Sequence, residues 1–325
     1  MKRGLVLLFF LFLHSAYATP ARYLSGNRAN VTPKKLYGPA NLFGGGGDVD
    51  NAIQWMIDEV RGCKDCDAKV DVLVLRSSGA DGYNETIMKM RGVDSIESIV
   101  FDNKKDANTK EIEDTVNKAE VIFFAGGDQC RHLRFFEDTR LQKAVQAVYD
   151  RGGGVGGSSA GLAILSPVIY DACRGSTKSE EALSDPYHSS ISFAYDFLKI
   201  QNMRNTYADQ HVVARNRIGR TLTFLARQLQ DGKTDHVWGL AVNEDSSLVV
   251  DKNGLGTVMG AGPVHLILAD HKPEVCKPKT PLTYSNFKMW RFDSGKTIDL
   301  KNKPTEGFYL RSVTKGKLSA DPYTP

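Results

Sequence analysis

Along the chain, short apolar runs alternate with segments whose apolar residues recur at helical spacing. Residues 36–43 predict a strand that runs into Gly44 to Gly47, and residues 49–60 predict the helix after it. Residues 70–75 (VDVLVL) are apolar but for Asp71, the pattern of a strand buried on both faces. Residues 98–101 give a weaker strand, and 119–125 (AEVIFFA) another buried one that stops at Gly126. Residues 141–151 read as a helix, 154–156 end a short strand, and 160–165 begin the next helix. This βαβα alternation predicts an α/β fold of three layers, a mainly parallel sheet with helices on both faces. Residues 237–264 alternate apolar and polar positions and predict strands and hairpins that close the sheet. No internal repeat, coiled coil or linker divides the chain. The expectation is one α/β domain over residues 36–325, preceded by a polar, flexible lead-in at 19–35.

Composition changes this picture little. The chain has 325 residues, of which 41% are hydrophobic and 25% charged, with 30 Gly and 12 Pro, so collagen-like and low-complexity classes are excluded. Forty-two Lys and Arg stand against 38 Asp and Glu, and two of the cations, Lys2 and Arg3, lie at the very start. That balance does not mark a nucleic-acid or membrane-surface protein. Lys2-Arg3, the nine apolar residues 5–13 and Ala16-Tyr17-Ala18 have the order of a secretory leader. The expectation is cleavage after Ala18, with the protein periplasmic or extracellular and no membrane contact afterwards. Five cysteines follow: Cys63, Cys66, Cys130, Cys173 and Cys276. The odd count leaves at least one thiol free, and Cys63-Cys66 is expected to form a loop disulfide. No Cys or His falls at zinc spacing. Gly44 to Gly47 is no dinucleotide fingerprint, because Val49 stands where the last glycine is needed, and no phosphate-loop lysine follows. Neither metal nor cofactor is expected.

The chemistry gathers at glycines. Gly157-Ser158-Ser159-Ala160-Gly161 matches G-x-S-x-G between a strand and a helix, where a serine hydroxyl stands exposed on a sharp turn. Ser159 is therefore the candidate nucleophile. The Ala160 N–H at the helix start and the Gly127 N–H at the end of the neighbouring strand are candidate oxyanion donors, with Gln129 a polar contact. Of the histidines, His211 stands out as base through its company: Asp209-Gln210 before it, then Arg215, Arg217 and Arg220 leading into a helix with an apolar stripe at Ile218, Leu222, Leu225 and Leu229. Three guanidiniums beside a His predict a receptor for carboxylates. The acid that orients the His is Glu244 or Asp245, and spacing does not choose between them.

GGDQ at 126–129, GSSAG at 157–161, DQHxxxRxRxGR at 209–220 and the acid pair after Val242-Asn243 together resemble cyanophycinase and its relatives, from about residue 36 onward. These are serine exopeptidases related to aspartyl dipeptidases, with a fold like the class I glutamine amidotransferases. The resemblance implies Ser159 as nucleophile, His211 as base and Glu244 as the acid. It also implies Gln129, Asp209, Gln210, Arg215, Arg217 and Arg220 as substrate contacts. The substrate it implies is cyanophycin, poly-aspartate carrying arginine on each β-carboxyl, cut to β-Asp-Arg dipeptides. Two departures touch substrate identity: Val212-Val213-Ala214 replaces an expected aromatic and hydroxyl residue, and the longer segment 173–205 is placed to cover or reshape the cleft. Three other readings remain: a peptidase for another aspartyl substrate; an esterase using His265 or His271 after Glu244; and a non-catalytic binder of acidic ligands. An acidic peptide or cyanophycin-like polymer is the expected partner, and homodimerisation is left open.

Overall fold

The computed structural model describes residues 20–325, so the leader expected at 1–18 lies outside the described residues. In chain order come β1 (Ala21–Gly26), β2 (Ala40–Gly44), α1 (Asp50–Arg61), β3 (Val70–Arg76), α2 (Asn84–Met88) and β4 (Val93–Val100). Then follow α3 (Lys104–Ala107), α4 (Lys110–Lys118), β5 (Val121–Phe124), α5 (Gln129–Phe136), α6 (Arg140–Asp150), β6 (Gly154–Ser158) and α7 (Ala160–Ala163). Next are β7 (Val168–Tyr170), α8 (Ser179–Ser184), β8 (Phe193–Tyr195), β9 (Thr206–Asp209), α9 (Ile218–Gln230), β10 (Val237–Val242) and β11 (Ser246–Val250). The chain ends with β12 (Leu255–Gly260), β13 (Val264–Ala269), β14 (Tyr284–Phe292), β15 (Thr297–Asp299), β16 (Tyr309–Thr314) and β17 (Lys317–Leu318).

The first sheet runs β1-β4-β3-β5-β6-β2-β11-β12-β15, and its middle strands β4 to β2 are parallel. Alternation in these strands feeds two cores. Leu73, Leu75, Ile122 and Phe124 pack on one side with residues of α4 and α6. Val72, Val74, Val121 and Phe123 pack on the other with Ile53, Met56, Ile57 and Val60 of α1, whose spacing lines one helix face. Asp71, the polar exception in β3, accepts from Ser95 Oγ at 2.5 Å and from Val31 N at 3.0 Å. Burying the apolar residues of a strand in this way contributes on the order of 1.5–3 kcal/mol per large side chain.

Two expectations are corrected. Residues 19–35 are not simply a flexible lead-in: β1 pairs antiparallel with β4 over all six of its residues. At the edge of a sheet its side chains stay largely exposed, so it lacks the apolar run that marks an interior strand. Nor do residues 237–264 close a single sheet. β11 and β12 extend the first sheet from β2, whereas β10 and β13 belong to a second, β17-β16-β14-β13-β10-β9-β7-β8. The chain crosses between the sheets within Asn243-Glu244-Asp245, and Leu240 and Val242 share a core with Phe43 and Phe124. α9 covers the outer side of the second sheet with the predicted stripe Ile218, Leu222, Leu225 and Leu229. Residues 173–205 supply α8, which packs on α9, and β8, which pairs with β7.

Arg22 holds β1 down through Glu97 at 2.7 Å and Glu111 at 2.6 Å. Arg22→Ala is expected to change unfolding free energy by less than about 1 kcal/mol, because these pairs are partly exposed. Deleting residues 20–26 uncovers the β4 edge, and size-exclusion chromatography should then show concentration-dependent association.

Candidate active site

Ser159 sits at the C-terminal end of β6 with φ +56° and ψ −114°, a strained turn into α7. Its flanks must be small: a Cβ on Gly161 would strike the backbone of Phe124 in the next strand. Ser159 Oγ lies 2.7 Å from His211 Nε2, and His211 Nδ1 lies 2.5 Å from Glu244 Oε1. With Nδ1–H donating to the carboxylate, Nε2 is left as the acceptor for the serine proton. Of the two adjacent acids, Glu244 is the one that meets the His211 ring. Burial holds the His211 imidazole below its usual range, the bond to Glu244 opposes this, and the Arg215 and Arg217 charges add to the lowering.

Gly44 to Gly47, which had no assigned role, organises this chain of bonds. Ser159 N donates to Gly44 O at 2.9 Å, His211 N to Gly45 O at 2.7 Å, and Asp245 N to Gly46 O at 2.7 Å. Three successive carbonyls thus receive the segments that carry Ser159, His211 and Glu244. The approach is close enough that a Cβ on Gly46, where φ is +115°, would fall within the His211 ring. His211 and Asp245 themselves have φ +54° and +53°, conformations that cost on the order of 1–3 kcal/mol unless the surroundings enforce them.

The three arginines separate. Arg220 is 1% exposed and its guanidinium is bound to the fully buried Asp209, with Nε–Oδ2 at 3.0 Å and a second bond from Nη2 to Oδ1. Thr221 Oγ1 also donates to Asp209 at 2.8 Å. Burial alone would raise the Asp209 carboxyl, but Arg220 outweighs it and holds it below the ordinary range. These two expected substrate contacts are therefore engaged with each other beneath the site, because a buried charge is tolerated only when paired. Arg215 is exposed, with Nε 3.4 Å from Glu244 Oε1. Arg217 is half-buried, its Nη1 bonded to Gln210 O at 3.0 Å, and burial pushes its guanidinium down to about 10. No carboxylate pairs with Arg217 among the described residues. Gln129 is buried at the start of α5, its Nε2 3.4 Å from Tyr170 O. Gly126 borders Ser159, since a Cβ there would lie 3.5 Å from Ser159 Cβ. Gly127 follows with φ +142°, and Ala160 opens α7.

The other described histidines are occupied elsewhere. His265 Nε2 faces Tyr323 O at 3.3 Å, and His271 Nδ1 faces Asp270 at 2.9 Å, so the esterase order has no base at Ser159. His132 is fully buried against Ala125 O, and burial pushes its imidazole down to about 4. His188 bonds Ser190, and His236 bonds Asp235. Cys63–Cys66 form the expected loop disulfide, and Cys130–Cys173 tie the start of α5 to the segment after β7. Cys276 is free and buried, its thiol pushed up to about 12 by burial. Among the described residues no cluster of His, Cys, Asp or Glu is suited to a metal.

Fold and site together define an α/β protein with a Ser–His–Glu hydrogen-bonded chain on a strand-to-helix elbow. The family model of peptidase family S51 matches residues 79–252. The chain belongs to that family of peptidases, whose fold is consistent with the class I glutamine amidotransferase-like arrangement. Over 210 residues it is 24% identical to a cyanophycinase of Nostoc sp., covering 62% of this chain and 64% of the relative. Over 205 residues it is 25% identical to a cyanophycinase of Synechococcus elongatus, covering 62% of this chain and 59% of the relative. The match therefore spans less than two thirds of the curated relatives' length. The crystal structure of a peptidase from an acI-B1 Actinobacterium superposes with a TM-score of 0.56 at 15% identity, covering 82% of this chain and 98% of that one.

Three outcomes are expected. Gly46→Ala displaces the His211 ring, so kcat should fall by about 100-fold or more while circular dichroism stays native. The acid limb of kcat/KM reports His211 in the free enzyme. Because its pKa is lowered, activity should persist below about pH 6.5 and disappear as pH falls further. Arg215→Ala removes a like charge, so the limb should move to higher pH.

Proposed function

We propose that the chain is an exported serine-type exopeptidase for aspartyl peptide bonds, with cyanophycin as the foremost substrate and β-Asp-Arg dipeptides as product. The observation that carries this is the Ser159–His211–Glu244 chain, with Oγ–Nε2 at 2.7 Å and Nδ1–Oε1 at 2.5 Å, beside a guanidinium without a carboxylate partner at Arg217. The curated relatives named cyanophycinase support the substrate class.

In this reading Ser159 Oγ attacks the acyl carbon as His211 Nε2 takes its proton, and Glu244 stabilises the resulting imidazolium. The N–H groups of Ala160 and Gly127 hold the oxyanion. Arg217 anchors the aspartyl carboxylate, assisted by Arg215, in place of the trio expected from spacing alone. His211 then protonates the leaving amine, and water attacks the acyl-enzyme with His211 again as base. The Val212-Val213-Ala214 departure favours a second reading within the same chemistry, a peptidase for another β-aspartyl compound. Export rests on the order of residues 2–18, and disulfides such as Cys130–Cys173 suit an oxidising compartment.

Purified protein incubated with cyanophycin and with α- and β-aspartyl dipeptides, read by mass spectrometry, should release β-Asp-Arg. Ser159→Ala should lower kcat by several orders of magnitude. Wild-type rates from that variant would sink the serine mechanism.

A further inference from the structure

The segment 319–325, after β17, lies beyond residues 79–252 that the family model matches, yet it reaches the loop that carries His211. Side chains of the second sheet pin its backbone. Arg311 Nε of β16 donates to Asp321 O at 2.7 Å, and Tyr309 Oη of the same strand donates to Pro322 O at 3.1 Å. Arg291 Nη1 of β14 donates to Tyr323 O at 3.0 Å, and His265 Nε2 of β13 faces the same carbonyl at 3.3 Å. Tyr323 N donates back to Asp321 Oδ1 at 3.0 Å, and its ring meets His265 edge to face with centroids 6.1 Å apart. Three neighbouring strands thus direct one phenol at residues 212–218.

The Tyr323 hydroxyl has one proton and faces two acceptors, Asn216 Oδ1 at 2.8 Å and Val212 O at 3.2 Å. It also accepts from Ile218 N at 3.4 Å. Burial pushes the phenol up to about 12, so the proton stays on the oxygen across the neutral range. The first N–H groups of a helix need partners from outside it. Arg217 stands at the N-cap of α9 and makes no side-chain cap, because a guanidinium only donates. The Tyr323 hydroxyl stands in for that cap at Ile218 N, and Ser179 Oγ of α8 does so for Arg220 N at 3.2 Å.

Asn216 and Ile218 flank Arg217, so one phenol oxygen grips the residues on either side of it. His211 is held elsewhere, by Gly45 O, Glu244 and Ser159. Val213 N and Ala214 N donate to Asn243 Oδ1 at 3.1 and 3.2 Å. The loop therefore has separate anchors for its two halves: β2 and the β10–β11 crossing for the half with His211, and Tyr323 for the half with Arg217.

We infer that Tyr323 is a positioning residue for substrate binding: its hydroxyl fixes Arg217 while making no contact with the Ser159–His211–Glu244 chain. The inference rests on the peptidase reading, in which Arg217 receives the aspartyl carboxylate. Loss of the hydroxyl loosens capture of that carboxylate and spares the chemical step.

Tyr323→Phe keeps the ring on His265 and removes only the hydroxyl. In full-length protein with a β-aspartyl dipeptide, KM should rise about fivefold or more while kcat stays within about twofold of wild type. Calorimetry on Ser159→Ala protein should show the same loss of affinity for the intact dipeptide. In the Arg217→Ala background, Tyr323→Phe should change KM by less than about twofold, since the residue it acts through is gone. Amide hydrogen exchange should quicken over residues 215–220 and stay unchanged in β2. An unchanged KM, a kcat that falls as much as affinity does, a KM rise that persists in full without Arg217, or unaltered exchange at 215–220 overturns the inference. So does the absence of any dipeptide binding to Ser159→Ala protein. Binding without hydrolysis by the wild-type protein overturns the peptidase reading instead.

Discussion

Three consecutive backbone carbonyls, those of Gly44, Gly45 and Gly46, accept the amides of Ser159, His211 and Asp245. Backbone geometry fixes the spacing of such carbonyls far more tightly than side-chain packing fixes rotamers. Ser159, His211 and Glu244 arrive from the end of β6, from the loop after β9 and from the crossing between β10 and β11, and β2 is their common reference. The absence of Cβ atoms permits this contact. A side chain at Gly46 would occupy the place of the imidazole, so the glycines are demanded by their neighbours as well as by their own φ values.

Beneath the site, the Asp209–Arg220 pair locks the end of β9 to the first turn of α9, on either side of the loop that carries His211. Removing either partner leaves the other charge buried and unanswered, which costs about 3–5 kcal/mol. The Asp209 carboxyl is held low, so the stabilisation from this charge is present above its unfolded value near pH 4 and fades as pH falls through the folded one. Of three neighbouring guanidiniums, Arg220 serves the fold, Arg215 leans on Glu244, and Arg217 pairs with no carboxylate among the described residues.

The sequence was most readable where burial acts on both faces. β3 and β5 appear as near-continuous apolar runs because helices or the second sheet cover them on each side. The elbow at Ser159 was readable because small residues are obligatory there, and His211 because its neighbours are polar and dense. β1 was not readable, since an edge strand exposes most side chains and leaves no apolar period. The second sheet escaped because alternation marks β10 and β11 alike and carries no record of which partner each strand finds. Arginines one helical turn apart look identical in sequence whether they face a cleft or a buried aspartate, so spacing alone does not separate Arg220 from Arg217. Adjacent acids point to opposite sides of the chain, and the folded loop turns Glu244 to His211.

Because Gly44, Gly45 and Gly46 follow one another on a single segment, the register of β2 against β6 sets all three contacts at once. Slipping β2 by one residue would offer each incoming amide the wrong carbonyl, and Ser159, His211 and Glu244 would lose alignment together. The hydrogen-bonded chain is therefore made or lost as a unit with that register.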